Sequence, residues 1–257
     1  MAATYLDAIL ADHRGQAAAD QRSIDQLIEA ARQAPPVRGF AAALSAGFAV
    51  IAEVKRRSPS KGAIDADLDP SALAAAYERG GAACLSVLTD VACFGGSPAD
   101  LAAARDAVAV PVLRKDFTVS AADVCDARIM GADAVLLIAA ALDDVELADF
   151  HALAIDLGLD ALVEIHDEAE LEREGVEVGQ LDLVTFAVDT DRAVRMAPKM
   201  PDGVIRVAES GISGPDDAAV LAAAGYHSVL VGESLVRSSD PAAAVAAMRA
   251  AGAKAPG

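Results

Sequence analysis

Glu53 and Lys55 stand one residue apart at the end of an apolar run, in the stretch VIAEVKRRSPSKG that covers residues 50–62. A carboxylate inside a strand and an ammonium at its end are costly to bury unless they are paired or used. The tail that follows, from Ser58 to Gly62, is a turn-forming segment rich in hydroxyl and ammonium donors, a loop type that can close over an anion. Taken alone, the stretch reads more readily as a strand with a solvated basic loop. The pattern recurs, however: Thr89 and Asp90 follow an apolar run at 84–88, Lys115 and Asp116 one at 110–114, Glu164 and His166 one at 161–165, and Glu209 and Ser210 one at 204–208. The run at 134–138 instead ends in Ile138 and Ala139, an apolar wall. Two lysines, three glutamates and one apolar side suit an aromatic or apolar substrate that carries an anion and needs proton transfer.

An anion subsite is expected from two further segments. AESGI (208–212) and LVGES (230–234) each place a glycine, Gly211 or Gly232, where backbone N–H groups can approach a ligand. Ser234, and Ser58 from the first loop, add hydroxyls. Glu233 is an awkward neighbour for a phosphate, so its side chain is expected to point outward as a first-turn helix acid, with its backbone N–H left available.

These residues need elements to position them. From residue 50 onward, strand candidates at 50–54, 84–88, 110–114, 134–138, 161–165, 204–208 and 229–231, with a weak one near 176–184, alternate with Ala-rich helical segments. The helices fall at 70–79, 99–107, 120–130, 144–157, 215–224 and 241–251, with Pro near several starts and Gly past several ends. Eight strand and helix pairs of this spacing predict an α/β fold, a (β/α)8 TIM barrel, with a doubly wound open sheet as the alternative. Before them, residues 5–32 carry two apolar stripes, Leu6, Ile9 and Leu10, then Ile24, Leu27 and Ile28. They predict two short amphipathic helices lying on the main body and ended by Pro35 and Pro36. The chain is read as a single domain, residues 1–257, of which 1–45 form a helical extension.

Composition agrees. Of 257 residues 54% are hydrophobic but only 4% aromatic, so Ala, Val, Leu and Ile must build the core, as in parallel strands covered by helices. A formal net charge of −18 excludes nucleic acid and anionic membranes as expected partners. Against it, the basic clusters at 55–57 and 114–115 point to a small anionic ligand. Cys84, Cys93 and Cys125 show no paired spacing and His13, His151, His166 and His227 no ligand spacing, so neither a disulfide framework nor a metal is expected. No signal peptide or membrane span is read, and the expected compartment is the cytoplasm.

The motifs themselves resemble those of the indole-3-glycerol phosphate synthase family. They are IAEVKRRSPSKG, LSVLTDVACFGGSPADL, VPVLRKDF, GADAVLLIAAAL, ALVEIH, VIRVAESGI and VLVGESLV, in the family's order and over nearly the whole chain. The resemblance implies a (β/α)8 barrel that closes the ring of 1-(o-carboxyphenylamino)-1-deoxyribulose 5-phosphate in tryptophan biosynthesis, releasing carbon dioxide and water. It implies no cofactor or metal; a monomer or weak homodimer is expected. Carried over residue by residue, Lys115 is the general acid and Glu164 the base. Lys55 polarises or protonates oxygen and contacts the substrate carboxylate, and Glu53 and Glu209 orient the lysines and sugar hydroxyls, with Ser210 beside them. Phe94, Phe117, Leu136 and Ile138 pack on the aromatic ring, although Phe94 and Leu136 stand equally as core residues. Ser58, Gly211, Gly232, Glu233 and Ser234 hold the phosphate.

One run departs from the family pattern. Where the family carries an Asn-x-Arg constellation after strand six, residues 176–183 place Gly179 and Leu181, and the segment 168–175 looks too short for a full fifth helix and its loop. Losing an arginine that pairs with a carboxylate removes about 1.5 to 3 kcal/mol of charge-assisted contact. Three readings stay open: a synthase compensated by Lys55, Arg56 or residues 189–192, a paralogue for a modified anthranilate-derived substrate, and a non-catalytic phosphate-binding barrel. Intact acid and base positions favour the first.

Overall fold

The computed structural model describes residues 5–58, 62–171, 173, 181–185 and 190–254, with strand 181–185 and residues 5, 190 and 191 as backbone. Eight parallel strands close into a barrel in sequence order. They are strand one (Ala49–Val54), two (Cys84–Leu88), three (Val112–Lys115), four (Ala134–Ile138), five (Asp160–Ile165), six (Leu181–Thr185), seven (Ile205–Glu209) and eight (Ser228–Val231). Strand eight pairs back onto strand one, Val50 beside Val229, so the sheet has no free edge and the open-sheet alternative is excluded. The strands read as continuous apolar runs because both faces are buried: one fills the barrel and the other meets the helices.

Local chemistry sets the helix starts. Asp69 accepts the N–H groups of Ser71 and Ala72 ahead of Pro70–Arg79, Ser97 that of Asp100 ahead of Pro98–Ala107, and Asp240 that of Ala243 ahead of Pro241–Gly252. In each, Pro occupies the first turn, where a missing N–H costs nothing. Asp143 and Glu146 form a reciprocal capping box at Asp144–Asp156.

The register stacks the barrel interior in layers of side chains from alternate strands. Ile51, Leu113, Leu162 and Val207 form one such layer, all fully buried. Two residues further along the same strands stand Glu53, Lys115, Glu164 and Glu209. The layer that would ordinarily be apolar is therefore three acids and one base.

The N-terminal segment wraps the barrel from end to end. Its first helix, α1 (Tyr5–Ala19), crosses the mouth, with Ile9 buried and Leu6 beside it. Arg14 anchors α1 by a two-pronged bond to Glu146, at 2.6 and 2.7 Å, and by donating to the Ala141 carbonyl. The second, α2 (Ile24–Gln33), descends the side, where Arg22 in the preceding turn pairs with Asp126 at 2.8 Å. A third helix, α3 (Phe40–Leu44), which the periodicity did not predict, plugs the opposite end with Phe40 and Leu44 fully buried. Asp133 and Asp160 fix that plug by accepting the backbone N–H groups of Arg38 and Ala41, each at 2.8 Å.

Strand six corrects the sequence expectation. It runs from Leu181 to Thr185 rather than near 176–184, with Leu181 beside Ile205 and Thr185 beside Glu209. Leu181 therefore opens the strand at the closed end of the barrel, not at the mouth, and Gly179 lies outside the described residues. Among the described residues the preceding helix is Glu168–Leu171.

Candidate active site

A cavity of about 710 Å³ opens at the C-terminal ends of the strands, within the size range of small-molecule sites. It is lined by the fifteen residues to which the family resemblance gives a role: Glu53, Lys55, Ser58, Phe94, Lys115, Phe117, Leu136, Ile138, Glu164, Glu209, Ser210, Gly211, Gly232, Glu233 and Ser234.

Lys115 is the centre. Its ammonium lies 3.1 Å from Glu164 Oε2 and 2.8 Å from Glu209 Oε2. Burial alone would strip its proton, but the carboxylates of Glu164, Glu209 and Glu53 outweigh burial and hold its pKa above the usual lysine value. The two acids respond differently. Burial raises both, yet for Glu164 the ammonium of Lys115 and the ring of His166 win and hold it below the ordinary range. Glu209 is raised, by burial first and then by the charges of Glu164 and Glu53, which together exceed the pull of Lys115. The two carboxylates are thus pushed in opposite directions, Glu164 toward its ionised form and Glu209 toward its neutral one, a pairing suited to acid and base work at one centre.

The second lysine is paired as well. Lys55 Nζ lies 2.5 Å from Glu53 Oε1, and Glu53 is 3% exposed. Phe117 and Phe94 make the aromatic wall, with ring centroids 6.3 Å apart. Leu136 and Ile138 face it from strand four as interior residues.

The last two strands end in backbone suited to an anion. Ser210 and Gly211 are both left-handed, at φ 69° and 72°, and Ser210 is the one non-glycine residue with positive φ among the described residues. Such a conformation costs about 1 to 2 kcal/mol for a residue with a Cβ. Ser234 donates its hydroxyl to the Ile212 carbonyl at 3.1 Å and so ties the two loops together. Glu233 turns to Arg237, 3.1 Å away, as expected of a first-turn acid.

Some charged positions serve the scaffold instead. Arg114 is buried against Asp116, at 3.0 Å, and Thr89. Arg56 holds Asp100 with two bonds near 3 Å and donates to the Leu68 carbonyl. Asp90 caps the turn Val91–Phe94 and accepts from His13, so Thr89 and Asp90 do not line the cavity. His13, Asp90 and Asp116 come close enough to suggest a metal centre. Their oxygens are already engaged: Asp90 by the N–H groups of Cys93 and Phe94 and by His13, Asp116 by Thr89, Arg114 and the Phe117 N–H. The cluster is a closed hydrogen-bond network. Sequence reasoning missed the contribution of α1: Leu6 and Ile9 line the cavity, and their apolar stripe signalled packing but not over what.

A model of the indole-3-glycerol phosphate synthase family matches residues 6–248. The chain belongs to the indole-3-glycerol phosphate synthase family. Among its relatives, the indole-3-glycerol phosphate synthase of Nocardioides sp. is 54% identical over 210 residues, covering 79% of this chain and 81% of that protein. That of Streptomyces griseus is 49% identical over 259 residues, covering 97% and 96%. That of Mycolicibacterium vanbaalenii is 48% identical over 260 residues, covering 98% and 96%. Thiamine phosphate pyrophosphorylase from Pyrococcus furiosus, at 14% identity and a TM-score of 0.59 over 82% of this chain and 97% of that one, shares the fold. Among the described residues no helix is long and apolar enough to cross a membrane.

Proposed function

We propose that this chain is an indole-3-glycerol phosphate synthase, a carboxy-lyase that converts 1-(o-carboxyphenylamino)-1-deoxyribulose 5-phosphate to indole-3-glycerol phosphate in the cytoplasmic pathway to tryptophan. The observation that carries the reading is the charged layer, one ammonium held between Glu164 and Glu209 beneath an apolar wall.

In this mechanism the aromatic ring lies against Phe117, Phe94 and Ile138, and the phosphate meets the backbone of Ser210, Gly211 and Gly232–Ser234 with Ser58 at the rim. Lys115 donates a proton to the ketone oxygen as the ring carbon bearing the carboxylate attacks the carbonyl carbon. The bond to the carboxylate then breaks, its electron pair restores the aromatic ring and carbon dioxide leaves. Lys55 gives the proton with which the new hydroxyl departs as water. Glu164 takes the proton from the neighbouring carbon, which closes the double bond of the indole. Fixed charges in a buried layer favour these steps because they need no reorganisation as charge develops. No cofactor is required, and a monomer or weak homodimer suffices because every residue named comes from one chain.

Strand six bears on a second reading. Leu181 opens that strand at the closed end, so it does not stand at the mouth in place of the family's arginine, and residues 186–189 lie outside the described residues. A paralogue with a modified anthranilate-derived substrate follows if turnover of the unmodified compound proves weak. Direct assay of the purified protein, with indole and carbon dioxide both followed, separates the two.

A further inference from the structure

Strand five ends at Ile165, and the next residue is held at every polar atom. His166 Nε2 lies 3.3 Å from Glu164 Oε1, the oxygen that Lys115 leaves to it. Its Nδ1 lies 3.4 Å from Glu170 Oε2, and the same Glu170 oxygen accepts the His166 backbone N–H at 2.7 Å. From the helix after strand six, Arg192 donates to the His166 carbonyl at 2.6 Å. The ring lines the cavity, and the mechanism above gives it no task.

A carboxylate facing each ring nitrogen requires both nitrogens to donate, which only the imidazolium does. Among the described residues the charged groups that meet the ring are Glu164 from strand five and Glu170 from the helix that follows. Arg192 reaches the carbonyl rather than the ring, and Lys115 and Glu209 act through Glu164. The hydrogen bond to Glu164 raises the histidine pKa to about 9 against the opposing effect of burial, with Glu170 adding to the rise. Glu164 is thereby gripped from two sides, Lys115 on one oxygen and His166 on the other.

We infer that His166 is a positioning residue for Glu164: clamped between Glu164 and Glu170, its imidazolium keeps the Glu164 carboxylate ionised and turned toward the substrate. The inference rests on the reading of Glu164 as the base. Lys115 meets Glu164 at Oε2 and also serves Glu209, which leaves Oε1 to His166.

The test compares His166→Ala and His166→Gln with the native protein in steady-state turnover of the carboxyphenylamino-deoxyribulose phosphate. His166→Ala is expected to lower kcat about 10- to 100-fold with KM within about two-fold, and to move the acid limb of the kcat profile up by about one pH unit. His166→Gln, which still donates a hydrogen bond but carries no charge, restores much of kcat near neutrality and leaves the limb displaced. An unmoved acid limb, or a raised KM at constant kcat, overturns the inference. A measurement without turnover separates it from the functional reading: the His166 ring, followed by NMR, is expected to titrate lower in Glu164→Gln than in the native protein. If the native protein does not turn over, the reading of the reaction fails, while the clamp still stands or falls by that titration. An unchanged titration overturns the clamp.

Discussion

Gly232, which follows strand eight, sits against the Glu53 carboxylate of strand one so closely that a Cβ would drive into Glu53 Oε1 and press on Lys55 Nζ. The sequence suggested that this glycine serves a phosphate through its backbone; its first demand comes from the acid beside it. Gly232→Ala is expected to fold but to displace the Glu53–Lys55 pair. Misplacement of a catalytic group by about 1 Å costs on the order of 100-fold in rate. Turnover within about three-fold of the native protein, at unchanged melting temperature, would show that the pair has room to move.

Lys115→Met removes the single cation of a layer that otherwise holds three buried carboxylates. Turnover should fall by about 100- to 10,000-fold, the usual worth of a general acid. Stability should fall too, by about 3 to 5 kcal/mol near neutrality, because the acids lose their partner. The sign with pH is fixed. Without the lysine, burial and the charge of Glu164 hold the folded-state pKa of Glu209 still further above its unfolded value near 4.3, so that contribution to stability is kept below the unfolded value and lost as pH rises. Denaturant titration near pH 4 should therefore find variant and native protein closer together than at pH 7. A gap that widens on acidification would contradict this account of the layer.

Glu164 and Glu209 contact the same ammonium but should not be equivalent. Burial and the charges of Glu164 and Glu53 push Glu209 toward its neutral form, so an uncharged isostere should be tolerated better there. Glu164 is held ionised, so Glu164→Gln removes the base outright. Near neutral pH, kcat is expected to drop about 1,000-fold in Glu164→Gln and only about ten-fold in Glu209→Gln. Equal losses, or the reverse order, would mean that the two roles are misassigned.

α1 closes the mouth with an apolar contact. Ile9 is buried, lines the cavity, and belongs to the same interior cluster as Phe117. Ile9→Ala should raise KM several-fold, about 1 kcal/mol of lost apolar contact, with a smaller effect on kcat. A lowered kcat at constant KM would assign α1 to the chemical step instead.

Much of this was legible in the chain itself. Strands stood out because both of their faces are buried, which leaves long Val, Leu and Ile runs such as 134–138, and charged residues at their ends marked the mouth. Helix bounds followed from Pro near several starts and Gly past several ends. What stayed hidden depends on contacts distant in sequence. Nothing local separates Arg114, which stabilises a buried loop network, from Lys115, which faces the cavity: adjacent strand residues simply point to opposite faces. α3 escaped because five residues are too few for periodicity to register. The register of strand six rests on its pairing with strands five and seven, and an alignment of motifs placed Leu181 at the wrong end of it.

The central claim is that the ammonium of Lys115, held between Glu164 and Glu209, drives ring closure with decarboxylation. The most direct measurement mixes purified protein with 1-(o-carboxyphenylamino)-1-deoxyribulose 5-phosphate and follows indole fluorescence and carbon dioxide release together, beside Lys115→Ala. Both signals should rise in step for the native protein and fall by orders of magnitude in the variant, which keeps its fold. A native protein that binds the compound and releases neither product, or a Lys115→Ala protein that turns over normally, would contradict the account.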